Sequence, residues 1–257
     1  PKRRRQRLDP MDLQVRKQIM SSNDYGSKYK VTVVIPNYNG LKFMEPCFQA
    51  LERQECRDFT VLVVDNGSQD GSVEWLKEHG IPSIFLKENT GFSGAVNVGI
   101  QAAKTPYVIL LNNDTEPEPG YIRELIRIME RSPKSFSASS KMIQLYDHSK
   151  MDDAGDMYTL LGWAFQRGVG RPSTGYNRSC SVFSACAGAA IYRREVFETI
   201  GYFDEMHFAY LEDIDVGYRA KIYGYKNVYL LFHGIVIESV LRRFMEGEVA
   251  NCITYQE

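Results

Sequence analysis

The sequence predicts an α/β fold, a single domain built on a mixed, mostly parallel sheet flanked by helices. Three observations carry that prediction. Between residues 31 and 111, short β-branched or leucine-rich runs alternate with longer amphipathic ones, which is the pattern of βαβ units. Three of the apolar runs stop abruptly at Asn or Asp, residues that turn the chain at the end of a strand. No internal repeat or low-complexity stretch divides the 257 residues, and a hydrophobic content of 44% suits one large domain.

Taken in order, residues 31–35 (VTVVI) are β-branched and read as a strand, closed by Pro36-Asn37-Tyr38-Asn39-Gly40. A helix over 41–54 follows, then a strand over 60–64 that ends at Asp65-Asn66-Gly67-Ser68. A short helix near 73–78 leads to a strand at 83–86. Residues 91–103 carry the small side chains of a helix packed closely on a sheet, and 107–111 form a fourth strand. Beyond it the pattern gives a helix over 121–130, stopped near Pro133, and a strand over 136–144. Residues 152–179 are glycine-rich and read as loop or hairpin, and 182–192 are small and apolar. Helices over 193–200 and 211–223 and a strand over 227–232 complete the reading.

Composition excludes several classes. Charged residues make up 25% and aromatics 12%, as in ordinary globular proteins. The formal net charge of −1 hides an asymmetry, because residues 1–17 hold seven basic side chains against Asp9 and Asp12. The remainder is mildly acidic, so no nucleic-acid partner is expected. The basic lead reads as a solvated arm, with contact to anionic lipid or nucleic acid as the alternatives. Five cysteines without a CxxC pair argue for reduced thiols in a cytoplasmic setting. No apolar run of about 18 residues is present to span a membrane. Neither GxGxxG nor GxxxxGK[ST] occurs, which argues against a nicotinamide site and a P-loop.

The chemistry gathers at strand ends. Leu110-Leu111-Asn112-Asn113-Asp114 places one carboxylate where an apolar strand stops, the edge at which α/β sheets bind ligands. Asp114 suits a hard divalent cation, although a plain turn before Pro117 and Pro119 is the alternative. Asp65 offers an acceptor for a ring N–H, while Asp70 or Ser72 reads as a helix N-cap. Tyr38 offers a face for a base. Gly91, in Asn89–Asn97, opens a helix whose N-terminus favours a diphosphate, unless the glycines serve only close packing. Glu212, Asp213 and Asp215 crowd one first turn, where acids also complement the helix dipole. Glu212 and Asp213 project about 100° apart, so one at most faces a substrate. His233 offers a nitrogen donor to a metal or a structural imidazole.

In this order the motifs at 33–40, 63–68, 89–97, 110–114 and 211–215 resemble the family-2 inverting glycosyltransferases of the GT-A (Rossmann-like) fold. Gly201-Tyr202-Phe203-Asp204-Glu205, leading to Tyr210–Asp215, is similar to the rhamnosyltransferase-like branch. The resemblance implies a donor of dTDP or UDP type, with rhamnose favoured as the sugar, and a saccharide or lipid-linked saccharide acceptor in cell-surface polysaccharide synthesis. It implies that Pro36, Tyr38, Asn39, Asp65, Asn66 and Ser68 hold the nucleoside, with Gly91, Asn97, Asn112 and Asn113 on the rest of the nucleotide sugar. Asp114 and His233 would hold Mg²⁺ or Mn²⁺, Asp213 would be the catalytic base, and Trp163 and Glu212 would meet the acceptor. The chain departs from the pattern at Asn112, where relatives begin with an acid, and at Val96, where many carry arginine. The implied organisation is a basic arm (1–28), a GT-A domain (29–237) with a nucleotide-sugar half (29–115) and an acceptor half (116–237), and a tail (238–257). A cytoplasmic location at the inner face of the plasma membrane follows, with peripheral membrane contact through arm or tail. The alternatives are a non-catalytic GT-A-like scaffold and a sugar nucleotidyltransferase, although the latter usually carries a basic loop after the first strand.

Overall fold

Alternation along the strands decides which helices cover which face. Val31, Val33 and Ile35 pack with Ile109 and Leu111 on one face, while Val34 packs with Val64, Val108 and Leu110 on the other. All of these side chains are buried, and each contributes about 1.5–3 kcal/mol of apolar burial. In the computed structural model, which describes residues 28–237, the strands involved are β1 (Val31–Asn37), β2 (Phe59–Asp65), β3 (Ser83–Phe85) and β4 (Tyr107–Leu111). The first face is covered by α1 (Leu41–Glu52), α2 (Ser72–Glu78) and α4 (Tyr121–Arg131). The second is covered by α3 (Gly91–Ala102), α5 (Arg194–Ile200) and α6 (Glu212–Ile222). Gly99 lets α3 lie directly on the sheet, because a β-carbon there would overlap the Val34 side chain.

The result is a mixed α/β domain with a central, mostly parallel sheet flanked by helices. β3, β2, β1 and β4 run parallel in that spatial order. The order reverses between β1 and β4, and such a switch point opens a crevice at the carboxyl ends of both strands. Beyond β4 the sheet continues through β11 (Ala189–Arg193), antiparallel to both β4 and β6 (Ser135–Gln144). β12 (Lys226–Ile237) then lies parallel to β6, with β10 (Cys180–Val182) antiparallel on its outer side.

Several expectations are refined. β12 is longer than the expected 227–232 because its far end pairs both with the end of β6 and with β5 (Thr115–Pro117), partners far away in sequence. The glycine-rich 152–179 stretch holds β7 (Met151–Asp153) and a hairpin of β8 (Asp156–Tyr158) and β9 (Ala164–Gln166). Neither Asp70 nor Ser72 is an N-cap. Gly71, in the left-handed conformation, precedes α2. Asp70 Oδ1 accepts from Ser72 N at 3.1 Å, and its Oδ2 accepts from Leu41 N at 2.8 Å, so one carboxylate ties together the starts of two helices. The cysteines among the described residues are free. No helix there is long and apolar enough to cross a membrane. The expected tail and nearly all of the expected arm lie outside the described residues.

Candidate active site

At the switch point the ends of β1, β2 and β4 are joined by side-chain amides. Asn113 Nδ2 donates to Asn37 Oδ1 at 2.7 Å, and Asn37 Nδ2 donates to Asp65 Oδ2 at 2.7 Å and to Ser68 Oγ at 3.1 Å. Ser68 N donates to Asp65 Oδ1 at 3.0 Å, and Asn39 N to Ser68 Oγ at 2.9 Å. Asp65, expected to meet a base, is 0% exposed with both oxygens bonded inside the protein, so it braces the loop that carries Tyr38. Tyr38 is exposed on that loop, with Pro36 and Asn39 beside it, and Asn39 takes a left-handed backbone (φ 50°).

Three other residues expected at the nucleotide are instead struts. Asn66 Nδ2 donates to Asn89 Oδ1 (2.8 Å) and to the Gly91 carbonyl (3.0 Å), while its Oδ1 accepts from Thr90 N (2.9 Å). Asn97 Nδ2 donates to the Phe203 carbonyl at 2.8 Å, and its Oδ1 accepts from Phe203 N at 3.0 Å. The Gly91 N–H goes to Asn89 Oδ1 at 2.9 Å and the Phe92 N–H to the Phe208 carbonyl at 2.7 Å. The leading donors of α3 are therefore spent within the protein and are not offered to a diphosphate. These asparagines carry the chemistry of ligand contacts; Asn66 uses it to fix the 89–91 turn and Asn97 to fix the 203–208 loop.

Asn113 and Asp114 are buried where β4 ends, and Asn112 beside them is half-buried. Asp114 lines a cleft with Lys42, Phe43, Cys47, Glu116 and Tyr146. Among the described residues no three His, Cys, Asp or Glu side chains gather as a metal centre. The donor set fits a hard cation that takes most of its ligands from phosphate and water and one carboxylate from the protein. His233 stands on β12, four residues before Ile237, which pairs with Thr115 beside Asp114. Its side chain lies outside the described residues.

Across from β4, four acids converge. Asp153 and Asp156 come from β7 and β8, and Glu212 and Asp213 from the first turn of α6. Tyr210 and Leu211 precede that turn in left-handed conformations (φ 75° and 67°), a strained approach of a kind that clusters at functional sites. Asp153, Asp156 and Glu212 are buried, and each has one carboxylate oxygen without a hydrogen-bond partner. Burial, with a smaller push from Asp213, raises Glu212 to about 8. Burial raises Asp153 to about 7, helped by Asp152 and Asp213, and lifts Asp156 well above the usual carboxylate range.

Asp213 differs from the other three. It is only half-buried, and each of its oxygens accepts a backbone N–H, Oδ1 from Ile214 at 2.8 Å and Oδ2 from Ala187 at 3.3 Å. Burial raises its pKa too, but these donors hold its charge. Of the four acids, Asp213 is the one whose two oxygens are both met by backbone N–H groups, which favour its charged form. The same short segment reaches β4, because the Gly188 carbonyl accepts Asn112 N at 2.8 Å. Two consecutive residues in the 186–188 segment, Ala187 and Gly188, thus join the Asn112 N–H at the strand end to the Asp213 carboxylate.

The remaining expected residues divide. Glu212 is buried under α6 and does not face an open acceptor cleft. Trp163 is exposed at the tip of the β8–β9 hairpin, whose base carries Asp156. No sequence motif joins Asp153 and Asp156 to Asp213, because more than 50 residues separate the pairs. The Ala187 N–H leaves no side-chain signal at all.

The cluster has a consequence for stability. Carboxylates raised above their unfolded values hold protons that the unfolded chain releases. Their contribution is full below about pH 4 and is lost as pH rises through about 7–8. Melting temperature should fall more steeply between pH 5 and 8 in the parent chain than in Glu212→Gln. Equal slopes in thermal melts would show that Glu212 does not hold one of those protons.

The family model for glycosyl transferase family 2 matches residues 32–201. The N-acetylglucosaminyl-diphospho-decaprenol L-rhamnosyltransferase of Mycobacterium tuberculosis (strain ATCC 25618 / H37Rv) is 28% identical over 226 residues, covering 77% of this chain and 72% of the relative. The teichoic acid poly(glycerol phosphate) polymerase of Staphylococcus epidermidis is 30% identical over 93 residues, which are 34% of this chain and 13% of that longer protein. Among solved structures, S. aureus TarS 1-349 superposes with a TM-score of 0.60 at 19% identity, covering 84% of this chain and 62% of that one. GalNAc-T7 with UDP, GalNAc and Mn²⁺ superposes at 0.65 and 15% identity, over 80% of this chain and 43% of that one. At these identities the structures share the fold, which is GT-A. With the family match spanning β1 through α5, the chain belongs to glycosyl transferase family 2.

Proposed function

We propose that this chain is an inverting glycosyltransferase that moves a sugar from a nucleoside diphosphate donor to a hydroxyl of a saccharide or lipid-linked saccharide in cell-surface polysaccharide synthesis. Rhamnose is the favoured sugar and dTDP or UDP the favoured carrier, on the likeness to the mycobacterial rhamnosyltransferase. The observation that carries the reading is Asp213, a basic carboxylate joined to the β4 strand end through residues 186–188.

Asp213 takes the proton of the acceptor hydroxyl as that oxygen attacks the anomeric carbon. The bond to the diphosphate breaks on the opposite face, and the centre inverts. The loop carrying Pro36, Tyr38 and Asn39, braced by Asp65 and Ser68, receives the nucleoside. Asn112 and Asn113 border the sugar diphosphate. A divalent cation, Mg²⁺ or Mn²⁺, would be held by Asp114 and would neutralise charge on the departing diphosphate. Burial makes Asp213 a stronger base than a solvated aspartate, which suits proton removal from a hydroxyl.

The test is thermal stability with UDP, dTDP, GDP and ADP, each with and without Mg²⁺ or Mn²⁺. A ligand at a hundredfold excess over its Kd adds about 2.7 kcal/mol, which should raise the melting temperature by about 5–10 °C in a chain of this size. UDP or dTDP should stabilise in a metal-dependent way, and Asp114→Ala should lose the metal-dependent part. A folded chain that responds to no nucleotide would overturn the reading.

A further inference from the structure

The β8–β9 hairpin is the least water-compatible feature of the described surface. At its tip Leu160 is 107% exposed, Leu161 86% and Trp163 71%, and Phe165 and Tyr158 on its strands are also exposed. Residues 157–166 (MYTLLGWAFQ) contain no charge, in a chain that is 25% charged. The loop is nevertheless well formed. Thr159 N donates to the Trp163 carbonyl at 2.9 Å, Gly162 N to the Thr159 carbonyl at 3.1 Å, and Trp163 N to Thr159 Oγ1 at 3.0 Å. A tip that satisfies these donors internally loses less on leaving water than an open loop does.

We propose that this hairpin tip docks on an anionic bilayer, with Leu160, Leu161 and Trp163 entering the headgroup–acyl boundary. Behind the aliphatic tip stands an aromatic layer. Tyr158 stacks on Phe183 with centroids 4.9 Å apart, and Phe183 on Tyr218 at 5.7 Å. Aliphatic side chains in front and Tyr or Trp at headgroup level is the arrangement of interfacial anchors. The charge agrees with it. No acid occurs from Met157 to Tyr192, a stretch holding Arg167, Arg171 and Arg178, of which the last two are exposed. Lys221 Nζ lies 5.6 Å from the Phe183 ring centroid and adds a cation beside the aromatic layer. Basic side chains flanking an apolar tip complement anionic headgroups. A second copy of the chain is the poorer occupant, because a protruding tip of three side chains falls short of the roughly 800 Å² per partner that stable interfaces bury.

The surface differs from the basic arm and tail that the sequence offered for membrane contact. Its placement matters because the hairpin begins at Asp156, in the acid cluster. Three residues of strand, roughly 10 Å, separate that cluster from the tip. A docked hairpin holds Asp213 within reach of hydroxyls that stand just above a membrane.

The inference does not rest on the transfer reading, since docking is measured without donor or acceptor. The full chain with Trp75→Phe leaves Trp163 as its one tryptophan. It is mixed with phosphatidylglycerol–phosphatidylcholine vesicles carrying brominated acyl chains, and separately with pure phosphatidylcholine. Trp163 emission should shift to the blue and be quenched on the anionic vesicles, and less so on the neutral ones. In sedimentation of the otherwise unaltered chain, Leu160→Ser with Leu161→Ser should weaken vesicle binding by about tenfold or more without changing melting temperature. Unquenched Trp163 on vesicles that do bind the protein would overturn the proposal and point to the arm or tail. A double variant that binds as well as the parent would overturn it too, as would one that changes only the oligomeric state.

Discussion

Asp213→Asn should lower sugar transfer by about 10²–10⁴-fold, the range that general-base action supplies, while nucleotide affinity stays unchanged. Asparagine keeps the size of the side chain and can accept one of the two N–H groups, from Ala187 or Ile214, that aspartate accepts. It cannot take a proton from the acceptor. Asp213 touches the strand-end amides only through the backbone of residues 186–188, so nucleotide binding has no direct dependence on its charge. Single-turnover transfer with saturating donor, beside a nucleotide titration, separates the two quantities. Turnover that survives the change would remove Asp213 from the base role. In the parent enzyme, activity should rise with pH as the cluster loses protons, and the apparent pKa of that rise belongs to all four acids together.

Gly91→Ala should destabilise the fold by about 2–4 kcal/mol, the sum of left-handed strain and overpacking against backbone. Gly91 has φ +74°, and a β-carbon there would run into the Phe208 carbonyl and ring. That carbonyl already accepts Phe92 N, and the neighbouring His207 carbonyl accepts Ser93 Oγ at 2.6 Å, so the loop has little freedom to retreat. A fall in melting temperature of roughly 5–15 °C corresponds to this cost. Gly80→Ala is the control, since Gly80 also has positive φ (+62°) but nothing within 4 Å. Equal losses in the two variants would show that the 203–208 loop does not press on α3. Transfer should fall in Gly91→Ala as well, because the displaced loop leads through Tyr210 and Leu211 into the turn carrying Asp213.

The parallel half of the sheet was legible because β1, β2 and β4 are runs of Val, Ile and Leu that end in Asn or Asp, and local sequence suffices to find them. β5 and the far end of β12 were not, since β5 is a strand by pairing with β12, and that end of β12 by pairing with both β5 and β6. Asp114 and Asp213 stand at the places their motifs implied, at a strand end and in a first helical turn. Asn66 and Asn97 were misread because an amide that could grip a diphosphate is equally suited to grip a carbonyl, and only the fold tells which is nearby. The choice between Glu212 and Asp213, which resemblance alone could make from sequence, acquires a physical reason in the two N–H groups on Asp213. His233, expected just after the last strand, lies inside the longer β12.

The link through residues 186–188 is made by main chain alone on its own side, a carbonyl at Gly188 and an N–H at Ala187. Side chains can drift there, within the space available, without altering the reach from one end of the reaction to the other. Such a spacer is set by backbone geometry and not by particular letters. The loops around it can then change without altering the distance between the strand end and Asp213.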